Sequence, residues 1–360
     1  MPLPTVNQSI PRPRTPRPIV SIGAGGIVHD AHYPAYAKAG YPVAGLFDPR
    51  TDRAEYMAGK FGVPTVHASL AEAVRKAPAD VVFDVAVPAA HIASVLPELP
   101  DGSPVLIQKP LGDNLEQARI LRDICSQKGL IAAVNFQMRW APFTLAARSL
   151  IDQGAIGDIV DLEIRVCVET PWHMWPFLQG LPHAEIYYHS IHHIDLARSF
   201  LGEPAGVQGV SVSHPDLPAM TSSRSLIALA YNPMLRVHID TNHFHRYGLR
   251  HQEAHVKWEG TSGAIKATLG ILMNYPEGMP DQFDYCLSPP GAANPEWHSL
   301  ELEAGWFPDA FIGSMGSLMR FLDGESEELP TSVADAFRTM AVADAACRSS
   351  ESGSVQPTAA

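Results

Sequence analysis

Short β-branched runs take turns with amphipathic stretches through the first third of the chain. Residues 18–22 (Pro-Ile-Val-Ser-Ile) form a brief apolar run closed by a glycine cluster, the pattern of a strand buried on both faces. A helix is expected over residues 32–39, stopped by Gly40 and Pro42. Residues 43–48 repeat the buried-strand pattern, and 63–67 read as a short third strand. Residues 81–87, 104–109 and 131–135 are further strands, the first of them the clearest in the chain. Helical patterns fill 51–61, 70–76 and 115–129. Such alternation predicts an α/β half: a doubly wound parallel sheet with right-handed crossovers.

The pattern changes after Gly157. A helix is expected at 191–201, then strands at 207–213, 225–231, 235–245, 254–258 and 265–267 with few helices between them. Helices near 311–321 and 333–347 close the chain. The second half therefore reads as α+β, built on a mostly antiparallel open sheet. The expected division is a tail at 1–17, a dinucleotide-binding domain at 18–145, a substrate-binding and oligomerisation domain at 146–350, and a second tail at 351–360. An open sheet with apolar alternation on its outer face needs cover, which predicts a homodimer or homotetramer packed through that sheet.

Charge narrows the choice of partner. Lys plus Arg number 26 and Asp plus Glu 38 among 360 residues, a net charge of −12. That argues against a nucleic-acid backbone or an anionic membrane as partner. No apolar run reaches membrane-spanning length. Cys125, Cys167, Cys286 and Cys347 form no CxxC pair, which argues against a zinc ribbon or a disulfide framework. The proline- and arginine-containing N-terminus lacks the apolar core of a secretory signal, so a cytoplasmic location is expected.

Chemistry enters at Gly23-Ala24-Gly25-Gly26-Ile27-Val28, between an expected strand and an expected helix. This is the context a dinucleotide fingerprint requires. Gly23 permits the tight turn, Gly25 lets backbone approach a diphosphate, and the helix start at Gly26, Ile27 and Val28 offers amide donors. Val28 stands where the pattern has a third glycine or alanine. Asp48 ends the second strand, where a carboxylate accepts the ribose hydroxyls and repels a 2′-phosphate. NAD is thus favoured over NADP, with Arg50 and Arg53 as the contrary indication.

Two later segments complete the set. The first is Gln108-Lys109-Pro110, with Pro88 and His91 after the preceding strand. The second runs Tyr187-Tyr188-His189-Ser190-Ile191-His192-His193-Ile194-Asp195. On a regular helix Tyr188, His192 and Asp195 share a face, and a carboxylate beside an imidazole raises its basicity. His189 and His193 fall on another face, and no Cys or HExxH pattern supports a metal, so none is expected. Taken together, the chain resembles the glucose–fructose oxidoreductase, inositol dehydrogenase and rhizopine-catabolism family of dehydrogenases.

The resemblance implies NAD as cofactor, contacted by the glycine loop, Asp48, Pro88, His91, Gln108, Lys109 and Asn135. It implies that Lys109 meets the nicotinamide ribose and the substrate, often beside a cis prolyl bond, and that His192 is the catalytic histidine, followed by Asp195. Two departures stand out: the family's Glu-Lys-Pro is Gln108-Lys109-Pro110 here, and its aspartate four residues before the histidine is Tyr188. A neutral Gln108 leaves Lys109 with a lower pKa than an anion beside it would. Tyr188 is expected to take the aspartate's place, with Trp172, His173 and His245 as further substrate contacts. The implied reaction moves a hydride between nicotinamide and a carbinol carbon of a sugar or polyol, for instance the first carbon of a small aldose such as D-apiose. Inositol or sugar 3-dehydrogenation, redox-neutral use of tightly held NAD, and a non-catalytic NAD-binding regulator are the alternatives.

Overall fold

The computed structural model describes residues 3–288, 291 and 294–354. The chain divides into two units, one of residues 8–145 and 303–340, the other of residues 1–7, 146–302 and 341–360. The first carries β1 (Ile19–Ile22), α1 (Tyr33–Ala39), β2 (Val43–Phe47), α2 (Thr51–Phe61), α3 (Leu70–Arg75) and β3 (Val82–Val85). It continues with α4 (Ile92–Val95), β4 (Pro104–Ile107), α5 (Leu115–Gln127) and β5 (Ile131–Val134), before α6 (Pro142–Asp152). The five strands are parallel in the order β2-β1-β3-β4-β5. Residues 63–67 do not form a strand; they are reduced to one bridge between Val66 and Leu46 beyond β2. With that remnant counted, the order is that of a Rossmann sheet. It reverses between β1 and β3, and ligands of such sheets bind at the carboxyl ends beside the reversal.

Residues 303–340 pack with this unit, which corrects the expectation that they belong to the second domain. The cause is the apolar face of α8 (Ala310–Leu322): Phe311, Ile312, Met315, Leu318 and Met319 join one core with Ile19, Leu46, Val82, Leu106 and Ala133. Residues 8–17 are no free tail either. Gln8 is buried with its Oε1 accepting the Glu303 N–H at 3.0 Å, and Arg17 pairs with Asp323 at 2.6 Å.

The second unit holds β6 (Ile159–Cys167), α7 (Ile191–Leu201), β7 (Gly206–Val212), β8 (Arg224–Ala230), β9 (Arg236–Asn242), β10 (Glu253–Gly260), β11 (Gly263–Thr268), β12 (Gln282–Leu287) and β13 (Trp297–Leu300). They form one eight-stranded sheet, β13-β12-β11-β10-β6-β9-β8-β7, antiparallel throughout save for the β6–β9 pair. α9 (Val333–Ser352) runs into the expected second tail, and residues 355–360 lie outside the described residues.

The inner face of this sheet is apolar: Leu162, Ile164, Val166, Ile227, Ile239, Val256 and Trp258 are fully buried or nearly so. The outer face differs from expectation. Its central strands carry a ladder of charges, with Arg236 on Asp161 at 2.6 Å, His255 on Glu163 at 2.9 Å, and Arg165 on Glu253 at 3.0 Å and on Asp240. Exposed apolar residues there cluster at the β7–β8 edge, at Val210, Val212 and Leu226. Among the described residues, no helix is long and apolar enough to cross a membrane.

Candidate active site

The nucleotide unit places its candidates at the carboxyl ends of its strands. Gly23 follows β1 with φ of 108°, and a Cβ there would lie 2.3 Å from the Ala86 carbonyl oxygen beyond β3. At Gly25 a Cβ would meet nothing within 4 Å, so backbone there stands open to a diphosphate. Val28 is wholly buried, and the helix opens on a π turn (Val28–His32) before α1 begins. Asp48 locks β2 to this loop: Oδ2 accepts the Ala24 N–H at 2.8 Å and Oδ1 the Arg50 N–H at 2.9 Å. Arg53 donates from Nε to the Ala24 carbonyl at 2.8 Å. Pro88 and His91 are exposed in the turn after β3.

This geometry fits the residues to a dinucleotide and separates two glycines by experiment. Gly23→Ala should cost at least about 2 kcal/mol in urea unfolding, from strain plus the clash. Gly25→Ala should leave the melting temperature unchanged and weaken NADH binding more than about tenfold, because only the ligand needs that space. Equal NADH affinity in Gly25→Ala and the parent would remove the diphosphate from this loop.

Gln108 and Asn135 were expected to face the cofactor, but both side chains turn into the protein. Gln108 Oε1 accepts from Asn135 Nδ2 at 2.9 Å and lies 3.2 Å from His32 Nε2. His32 Nδ1 meets Asp84 Oδ2 at 2.9 Å, and Tyr36 donates its hydroxyl to the same oxygen at 3.0 Å. All five residues are buried. The network ties the helix after the glycine loop to the ends of β3, β4 and β5. His32 and Asp84 escaped the sequence reading; their signal was a histidine and an acid set among apolar residues. Lys109 follows directly, at a cis bond to Pro110. The residue is part-exposed, and burial pushes its pKa down to about 7.

The sheet unit carries the histidine helix. His192, His193 and Asp195 are buried on α7, and Asp195 lies 4.0 Å from the equally buried Arg198, which also pairs with Glu203. Arg198 was not anticipated. A π turn (Ile186–Ser190) leads directly into α7, so Tyr188 and His192, four apart, remain on neighbouring positions of one helix surface. The Tyr188 ring meets Phe177 at 5.8 Å and packs with the apolar cluster of Trp172, Leu178, Ala184 and Met220. Trp172 is core, not an open platform: it is buried, with Nε1 donating to the His243 carbonyl at 3.1 Å. His173 is exposed. His245 lies part-buried against Tyr247 at 5.6 Å, whereas His243 is the histidine held in the interior.

The chain is matched by two models of one family. Residues 18–136 match "Oxidoreductase family, NAD-binding Rossmann fold", and residues 144–266 match "GFO/IDH/MocA C-terminal domain". Together they cover well over half of the sequence, and the protein belongs to this oxidoreductase family. It is 28% identical to the scyllo-inositol 2-dehydrogenase (NAD(+)) of Bacillus subtilis over 165 residues, 43% of this chain and 45% of that one. It is 27% identical to the D-glucoside 3-dehydrogenase of Escherichia coli over 198 residues, 53% of this chain and 56% of that one. The chain thus spans about half the length of these relatives. Levoglucosan dehydrogenase, in complex with NADH and levoglucosan, shares the fold with a TM-score of 0.79 at 18% identity, over 94% of this chain and 98% of that one.

Proposed function

We propose that the protein is an NAD-dependent dehydrogenase acting on a carbinol carbon of an uncharged sugar or polyol. The observation that carries this reading is Lys109: a lysine at the end of β4 whose ammonium is buried enough to titrate near 7. A buried, unusually acidic lysine in a strand-end turn is suited to hold and stabilise an oxygen that gains negative charge. Bound NAD would supply the hydride acceptor, held by the open backbone at Gly25 and by Asp48. Lys109 would hydrogen-bond the reacting oxygen and stabilise developing alkoxide charge. His192 would accept the hydroxyl proton, and Asp195 would keep its ring in place with Arg198 steadying the acid.

The dehydrogenases named above are a scyllo-inositol, a D-glucoside and a levoglucosan dehydrogenase, which supports a neutral cyclic polyol as the substrate class. Within that class we favour the first carbon of a small aldose such as D-apiose, oxidised to its lactone. A homodimer or homotetramer would form through the outer sheet face, pairing its charged ladders. Four free, buried cysteines agree with a reducing cytoplasm.

A panel of aldoses, anhydrosugars, glucosides and inositols, each with NAD and with NADP, tests the reading by absorbance of reduced nicotinamide. Turnover with NAD on at least one neutral sugar is expected. Retained NAD with product but no absorbance change would replace it by a redox-neutral reaction. NAD binding without any turnover would leave a regulator.

A further inference from the structure

Glu185 is a buried acid that the reaction above does not use. It is wholly buried at the residue before the π turn that leads into α7. Its Oε1 accepts the Ser190 hydroxyl at 2.7 Å, five residues on, so the acid clamps the turn end to end. The same oxygen lies 3.4 Å from Nε2 of His243, whose Nδ1 is 2.9 Å from the Thr170 hydroxyl. Burial pushes the Glu185 pKa up, but the facing His243 imidazole and the hydroxyls of Ser225 and Ser190 outweigh it and hold the carboxyl below its usual range. A carboxylate kept ionised in a core costs several kcal/mol unless it is paired. Such an acid needs a reason to be there.

The reason lies one ring further out. His243 packs against His189 with centroids 4.6 Å apart and planes tilted by 36°. Trp172 closes on both, edge to face, at 5.1 Å from His189 and 6.0 Å from His243. Trp175 approaches His189 from another side at 6.5 Å. His243 is fixed by Glu185 and Thr170, and Trp172 by its bond to the His243 carbonyl. The His189 ring is thereby confined, yet the residue stays part-exposed. Tyr188, its neighbour at the position of the family aspartate, instead gives its ring to the apolar cluster.

We propose that His189 is a specificity-determining contact for a hydroxyl of the sugar, and that Glu185 and His243 are positioning residues that hold its ring. The inference rests on the sugar or polyol reading above. It supplies what the exchange of aspartate for tyrosine at 188 removes: the acid is set back into the core at Glu185 and acts through two imidazoles. An imidazole offers both a donor and an acceptor, which suits a hydroxyl that must do the same. The part-buried Trp175 beside it offers an apolar face for the ring carbons.

His189→Phe keeps the ring contacts and deletes the nitrogens. Glu185→Gln keeps an oxygen for Ser190 and deletes the charge. Sugar binding to the NADH complex is measured by calorimetry, beside NADH affinity, melting temperature, KM and kcat. His189→Phe should weaken sugar binding and raise KM about tenfold, the loss of one well-placed hydrogen bond, with kcat within about threefold and NADH affinity unchanged. Glu185→Gln should shift KM in the same direction with the same NADH affinity. Parent-like sugar affinity in His189→Phe overturns the inference and leaves the dehydrogenase standing. A normal KM in Glu185→Gln removes the positioning role. A parent protein that binds NADH but none of the sugars or polyols overturns both readings together.

Discussion

Lys109→Met is expected to lower kcat by about 10²–10³-fold, leave NADH affinity within a few-fold, and raise the melting temperature. The rate loss is that of removing one preorganised donor from an oxygen that gains charge in the transition state. The gain in stability follows from the same burial that suits the lysine to its task. Its pKa falls from 10.5 in the open chain to about 7 in the fold, so between those values the unfolded chain binds the extra proton. Stability therefore rises with pH across that window, and the lysine's cost is complete below about 7. At about 1.4 kcal/mol per pKa unit the cost is a few kcal/mol, after allowance for the residue's partial exposure. Methionine is of similar length and carries no charge to bury. Its advantage should be present in melts at pH 6 and fade towards pH 10. An equal gain at both pH values would assign the effect to packing, and unimpaired turnover would remove Lys109 from the reaction.

That trade shows why the nucleotide half was legible in the sequence. Each of its strands is a short apolar run, and the glycine loop, Asp48 and Lys109 all stand where such runs stop. What could not be read is what the side chains do next. Gln108 meets His32 and Asn135, and His32 meets Asp84; these partners come from separate elements, and no periodicity records their meeting. In the sheet half, β6 was missed although Leu162, Ile164 and Val166 alternate with Asp161, Glu163 and Arg165, because the charges of its outer face masked the run. β12 escaped in the same way, with Asp284 between Phe283 and Tyr285. The sequence pattern shows a regular helix through Tyr188, and it does not reveal that residues 186–190 form a π turn. The part-buried Tyr188 ring packs against the apolar cluster of Trp172, Leu178, Ala184 and Met220. An apolar strand announces itself by composition; this irregular turn meets residues distant in sequence, here His243 and Ser225 around Glu185.

His192→Ala should lower kcat by about 10²–10⁴-fold, the range for loss of a positioned general base, with little change in NADH affinity. That ring is buried on α7. α7 buries His192, His193, Asp195 and Arg198 together, and the guanidinium of Arg198 stands between Asp195 and Glu203. Buried charge on this scale is costly unless each group is matched, so removing the Asp195 charge takes one acid away from Arg198. Asp195→Asn should consequently lower the melting temperature as well as kcat, which makes it the poorer probe of catalysis. His192→Ala leaves the Asp195–Arg198–Glu203 charges in place, and its fold should survive. Imidazole added to the buffer should then restore part of the turnover, since the vacated volume can admit the missing base. Rescue marks His192 as the proton acceptor. If turnover stays near the parent level, the hydroxyl proton leaves by another group and the role given to α7 is structural only; if turnover is lost but imidazole restores nothing, the loss comes from disturbed packing around Asp195.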